Sequence, residues 1–462
     1  MKQRGRHRRR RRGQALRATL AGTALALTAA ATLISASQAT SSGSPGALTP
    51  LTSSSQTAQL RLDENPADLR TLDTLTRRMG GNVGVAAVLA SADHSMRNEG
   101  DCADSERAAL PVEPTATRAY CWDSADATAR QWLPRSVTTS GDAYEDGTWG
   151  DHRVILAGWT HQDQQAADDP RTGEPTYDEG LARIAFIDTT DPHALTYRYA
   201  LLVLPQNGGK DFEAVRSGLG GMVWYQDKLI VTARNGTALL AFDMRRILKT
   251  DVNSGAIGRV SDGYSADGYQ YVLPAIASYD LAGGSCTTGD DESVPCFGSL
   301  SLDRTSTPDS LVATELSTPD STDRARVWRY PYSTAADRTG LLAAGSQGRV
   351  DPAEVYETKA TGVSGVLSHR PDGADEAEWY VAQTPAGDTR HATLWRQTDS
   401  GAEAATCTTD LSYACWGLGT ASLSYWQATN ELWTLTGAAG TDTAAGRVLY
   451  AVPLPSVDSS LE

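Results

Sequence analysis

GGMVWYQDKLIVTARNGTALLAFD, residues 220–243, is the stretch on which the fold is read. Two glycines open a run of four apolar and aromatic residues, Gln226-Asp227 turns the chain, and a β-branched run follows. Asn235-Gly236 then turns it again into a third apolar run that stops at Asp243. Runs of four to eight such residues, punctuated by Gly, Asn and Asp, are strands, and a glycine after asparagine supplies the positive φ a tight turn needs. Asn235-Gly236-Thr237 is therefore read as a turn, although it is formally a glycosylation sequon.

Working outward, the same unit recurs. Its openings are RSVTTS (135–140), GGMVWY (220–225), GSLSLD (298–303), VSGVLS (363–368) and ASLSYW (421–426). Each is followed by a second strand, at 153–159, 228–233, 310–315, 378–383 and 431–436, and by a third, at 182–188, 238–243, 325–330, 392–397 and 447–452. A further strand commonly intervenes before the next opening, as in TYRYALLVLP (196–205) and YQYVLPAIASY (269–279). Four strands per unit, repeated radially, make an all-β β-propeller. Gly, Ser and Ala at the openings fit innermost strands that converge on an axis. Five blades are counted over residues 135–454; a sixth within residues 61–134 is the alternative count, and a pair of β-sandwiches is the alternative fold from the same strand composition.

The fifth unit runs out at about Pro453 without an outer strand. Val83–Ala90 (VGVAAVLA), an unassigned apolar run, is expected to supply it, so that an N-terminal strand closes the ring and leaves no exposed edge. Residues 61–134 would then be a closing strand and a disulfide loop, and 455–462 a C-terminal tail.

Residues 1–39 carry a basic head, an apolar stretch and small residues before Ala39, the pattern of a cleaved signal peptide. Residues 40–60, rich in Ser and Thr, are expected to form a flexible leader. Cleavage removes nine of the 41 basic residues and none of the 56 acidic ones, leaving 32 against 56 and a net charge of −24. Such a surface repels phosphate backbones, which argues against nucleic-acid binding, and no later apolar run is long enough to span a membrane. These features together indicate a secreted, extracellular protein.

Six cysteines in an exported chain form an even set of disulfides. Spacing favours Cys102 with Cys121, Cys286 with Cys296 and Cys407 with Cys415, each a short staple worth about 2–4 kcal/mol. There is no C-x-x-C and no cysteine with a histidine at zinc spacing, so no metal site is assigned to them.

Chemistry is harder to find. No G-x-S-x-G, H-E-x-x-H or cofactor-binding motif is present, and no cofactor is assigned. Five-bladed glycan-cleaving propellers set carboxylates on inner strands around the channel, whereas the five openings here carry one acid, Asp303. Acidic GDDE (289–292), inside the Cys286–Cys296 loop, is read as a solvated tip in preference to a calcium site. Eleven Trp and 17 Tyr against four Phe favour rings with a polar handle. Trp224, Trp328, Trp379, Trp395 and Trp433 fall in the strand pattern as core, and Trp416, beside Cys415, is the candidate surface ring.

The segments GGMVWYQDKLIVTARNGTALLAFDMRRI (220–247), YCWDSADATARQWLP (120–134) and LSYWQATNELWTLTGAAG (423–440) resemble a group of actinobacterial secreted propeller-like proteins, over residues 100 to 454. The resemblance implies export and the propeller fold and brings no assigned activity or site residue.

Loops entering inner strands and loops between second and third strands share one end of a propeller. That end is expected to be functional, with the other end short-turned and plain. Trp416, Arg135, Arg216, Arg234 and His161 are its candidate ligand-binding residues. The expected function is a non-catalytic binding or interaction protein for an envelope glycan or another exported protein; a carbohydrate-active hydrolase or lyase is the alternative.

Overall fold

The computed structural model describes residues 43–162, 180–287, 294–320, 324–385, 390–437 and 446–461. The expected signal peptide and the GDDE tip lie outside the described residues. All the described strands and helices belong to the unit that begins at Gly46.

The chain is mostly β. Its strand pairings fall into five antiparallel runs of four. Unit I is Trp132–Thr139, Val154–His161, Ala182–Asp188 and Thr196–Gln206. Unit II is Met222–Tyr225, Lys228–Ala233, Ala238–Asp243 and Tyr271–Leu281. Unit III is Phe297–Asp303, Ser310–Glu315, Ala325–Pro331 and Glu354–Thr358. Unit IV is Val363–His369, Glu378–Gln383, Thr393–Gln397 and Ala402–Ala404. Unit V is Ser424–Trp426, Glu431–Leu435, Val448–Pro453 and Arg118–Cys121.

First strands touch in a cycle. The Trp224 amide donates to Thr138 Oγ1 at 2.9 Å between units II and I. A Cβ on Gly221 would lie 2.2 Å from the Leu300 amide nitrogen, between units II and III. Ser368 Oγ donates to Asp303 Oδ2 at 2.8 Å between units IV and III, and a Cβ on Gly365 would lie 2.9 Å from the Ala421 carbonyl oxygen. The Val137 amide donates to Ser422 Oγ at 2.9 Å, joining units I and V. Backbones this close admit no larger residue at Gly221 or Gly365, which is why the openings are small. Between the units lie the side chains that alternate outward from each strand. Trp224, Trp328, Trp379, Trp395 and Trp433 are all buried.

The closing strand is not Val83–Ala90. That segment is a helix, Gly84–Ala90, with Val85, Val88 and Leu89 buried and Ala86 and Ala87 exposed. The i, i+3, i+4 spacing and three helix-favouring alanines outweigh its β-branched content. Arg118–Cys121 occupies the outer position instead, Tyr120 opposite Leu449 and Cys121 opposite Val448.

The upstream segment also departs from expectation by docking. Gln397 Nε2 donates to the Gly46 carbonyl and the Leu48 amide to the Thr398 carbonyl, beside unit IV. Thr49–Pro50 then pairs with unit III, Leu62–Pro66 with unit II, His94–Ser95 with unit I, and Arg97–Asn98 with unit V. Residues 46–98 thus run as a belt along the outer strands, and the leader expected over 40–60 is not free from Gly46 on, because Leu48 and Leu60 are buried. Pairing satisfies backbone groups that an open edge would expose. The C-terminal tail likewise includes a helix, Leu454–Ser459, with Leu454 and Val457 buried.

All three disulfides form as expected, with Cα separations of 5.7, 5.0 and 5.5 Å for 102–121, 286–296 and 407–415. Two staple connections between units, while Cys102–Cys121 ties the region after the belt to the closing strand itself.

Candidate functional site

A hollow of about 690 Å³ lies at the end of the units expected to be plain. It is built from connections between first and second strands in units III, IV and V, plus the C-terminal helix. Asp303, the last residue of its strand and fully buried, organises it. Its Oδ1 accepts from the Thr305 amide (2.7 Å), Thr305 Oγ1 (2.6 Å) and the Ser306 amide (3.1 Å), which folds 303–306 into a side-chain-capped turn. Its Oδ2 accepts from Ser368 Oγ at 2.8 Å and Arg329 Nη1 at 2.7 Å.

Thr305 then passes the constraint on. Its Oγ1 accepts from the Arg370 amide at 2.9 Å, seating the 369–377 connection of unit IV on unit III. His369 meets Tyr425 edge-on, with ring centroids 5.1 Å apart, and Tyr425 donates from its hydroxyl to Asn430 Oδ1 at 2.9 Å. Asn430 takes φ +54, which turns its carbonyl to accept from the Leu454 amide at 2.8 Å and anchors the helix carrying Asp458. The Tyr380 hydroxyl donates to Asp458 Oδ1 at 2.6 Å.

Arg304 forms one wall. Its side chain is 9 % exposed; Nη2 donates to the Asp142 carbonyl at 2.6 Å and Nη1 to Asp309 Oδ2 at 3.4 Å, while the Tyr225 hydroxyl donates to that same oxygen at 2.9 Å. Burial pushes the Asp309 carboxyl up against the opposing pull of Tyr225 and Arg304. Burial also raises Asp142, whose Oδ2 accepts from Thr138 Oγ1 and Ser424 Oγ, each at 2.7 Å. His369 moves the other way: burial lowers its pKa, opposed by Asp303, Asp458 and other nearby acids. The hollow therefore combines aromatic edges, neutral amides and hydroxyls, and charges of both signs.

Residues singled out in the sequence do not gather at one place. Trp416 is 1 % exposed and packs on Tyr450 at 5.7 Å in a core cluster with Cys102 and Cys121. It is not a surface ring, because an indole beside a disulfide gains more by burial than by facing water. His161 ends its strand with its ring 5.1 Å from Trp132, and its amide donates to the Leu181 carbonyl; Arg216 bridges to that same Leu181 from the other side. Arg216 is exposed and lines a second hollow of about 470 Å³ with Leu181, Leu204 and Ile257. Arg135 is half-buried in unit I, and burial lowers its pKa. Arg234 belongs to unit II, exposed and paired with Asp280. Most of the 161–181 connection lies outside the described residues.

Two groups have metal-like composition. Cys102, Cys121 and Glu106 come together, but the sulfurs are spent on each other. In His94, Asp123 and Asp126 the ligand atoms lie within 4.8 Å of one another. Asp126 there already accepts from Arg183 at 3.0 Å and from the Tyr197 and Tyr199 hydroxyls at 2.7 and 2.9 Å, and Asp123 from His94 at 2.6 Å. With its acceptors engaged and a guanidinium in contact, this group does not fit a cation. Among the described residues no helix is long and apolar enough to cross a membrane.

No family model matches the chain, and neither does any curated protein. Among solved structures, a putative 6-phosphogluconolactonase from Bacteroides fragilis NCTC 9343 aligns at 11 % identity over 60 % of this chain and 92 % of that one, with a TM-score of 0.23.

Proposed function

We propose that this chain is an exported, extracellular five-bladed β-propeller that binds a glycan, or a partner presenting one, in the hollow framed by Thr305, Arg370, Tyr425 and Asn430. The blade count rests on the five four-stranded units and the cycle of contacts between their first strands. Export rests on the N-terminal charge and hydropathy pattern and on the three disulfides, which suit an oxidising compartment.

The observation that carries the reading is the mixture of groups around the hollow: a phenol and an imidazole beside hydroxyl, amide and guanidinium donors and carboxylate acceptors. Sugars present apolar C–H faces and alternating donor and acceptor hydroxyls, which is the pattern such a lining complements. Binding without cleavage is supported by Asp303, whose two oxygens are taken up by five donors and which has no exposure. The hydrolytic alternative needs a general acid; Asp309, which contacts the lining residue Arg304 without lining the hollow itself, is raised by burial toward the protonated form such a role needs.

One preparation tests both. A glycan array is probed with the wild type and with Tyr425→Ala/Gln427→Ala, and bound oligosaccharides are assayed for new reducing ends. Retention of a glycan class lost by the double variant, without cleavage, is the expected result. Equal binding by both proteins rejects this site, and reducing ends that depend on Asp309 replace binding with hydrolysis.

A further inference from the structure

We infer that the glycan taken by this hollow carries an acidic oxyanion substituent, seated on Arg370; the inference rests on the glycan-binding reading above. Arg370 is exposed on the lining, and its position is fixed from behind by the bond from its amide to Thr305 Oγ1. Among the described residues no carboxylate stands within ion-pair distance of its guanidinium, including Asp372 two residues on. Most other arginines here are ion-paired: Arg304 with Asp309, Arg329 with Asp303 and Glu354, Arg396 with Glu403, Arg338 with Glu64. In a chain with 56 acidic residues against 41 basic ones, an exposed arginine free of ion pairs on the lining of a hollow is a local point of attraction for an anion.

Arg304 reinforces it. Its side chain lies on the same lining, nearly buried, with Nη2 bonded to the Asp142 carbonyl and Nη1 to Asp309, so it adds positive charge behind Arg370 without being a free donor. Two guanidiniums therefore border the hollow at its Thr305 side. Across from them Asp458 is engaged by the Tyr380 hydroxyl and lies 3.6 Å from Arg396, so its charge is partly met within the protein. A planar guanidinium offers paired donors matched to a carboxylate, phosphate or sulfate. The neutral part of the sugar would meet Tyr425, Gln427 and Asn430.

Titration calorimetry on the full chain discriminates, with four probes: a hexuronate oligosaccharide, its carboxyl-reduced neutral counterpart, and a phosphorylated and a sulfated oligosaccharide of similar length. At least tenfold tighter binding of one acidic probe than of the neutral one is expected, and the acidic probe that binds identifies the source of the oxyanion. Arg370→Gln should remove that preference, and Arg370→Lys should restore part of it. Equal binding of neutral and acidic probes, or an unchanged preference in Arg370→Gln, overturns the inference and leaves glycan binding standing. Absence of binding by all four, with Arg370→Gln and the wild type equally folded by circular dichroism, rejects the glycan reading itself.

Discussion

Asp303 and Asp126 are both buried and both gather donors, and they do different things with them. Asp303 closes the end of a first strand and shapes the turn that frames the large hollow. Asp126 is a buried residue of the short helix Ser124–Thr128, where it collects Arg183, Tyr197 and Tyr199 beside the belt residue His94. Around Asp126 the neighbours pack on one another: Arg183 lies 3.6 Å from the Tyr199 ring centroid and 4.1 Å from that of Trp132. Around Asp303 the chain passes from a saturated carboxylate to a hydroxyl, then to an amide, and leaves Arg370 open. The same device therefore fastens a strap in one place and presents a surface in the other.

The largest effect expected from breaking this comparison is at Asp303. Asp303→Ala leaves buried Arg329 with Glu354 as its remaining carboxylate partner and frees the donors of Thr305, Ser306 and Ser368, costing about 3 kcal/mol by denaturant unfolding, and releases Thr305 and with it Arg370. Glycan binding should fall even at temperatures where the variant is folded; intact binding would separate the turn from the hollow. Asp126→Ala is expected to cost about 3 kcal/mol as well, toward the lower end of the range for a broken buried pair because the site keeps some contact with water. It should leave glycan affinity unchanged, and a parallel loss would mean that the two regions are coupled.

The smallest effect is at His369. Burial holds its folded pKa below the ordinary value of about 6.5, so between the two values the unfolded chain binds more protons than the folded one. Stability from this group is complete above that ordinary value and is lost as pH falls through the folded pKa. His369→Gln should flatten this part of the stability profile between about pH 5 and 7.5, and an unchanged slope would place the titrating group elsewhere.

Much of the fold was legible because it is local. Each unit is a meander whose strands follow one another, and glycines at 220, 221 and 365 announce the close approach that the backbones make. Disulfides spanning 19, 10 and 8 residues could be paired by spacing alone. The belt was not legible, since Thr49–Pro50 and His94–Ser95 are two-residue pairings whose register is set by the outer strands they meet. Val83–Ala90 carries a readable signal that its β-branched content masks: its buried positions keep the helical period. The hollow depends on Asp303-Arg304-Thr305-Ser306, a turn whose Asp and Thr side chains have a local hydrogen-bonding meaning that the acid's place on a strand conceals.

The belt also constrains the order in which the molecule can be assembled. Residues 46–98 precede the strands they meet, which reach from Arg118–Cys121 through 196–358 to Gln397 and Thr398, and Arg118–Cys121 must wait for Val448–Pro453. The leading fifth of the polypeptide thus has nowhere to settle until nearly all the remainder exists, so completion is a late, long-range event. Units I to IV can each form from one continuous stretch of chain, but the belt is completed last.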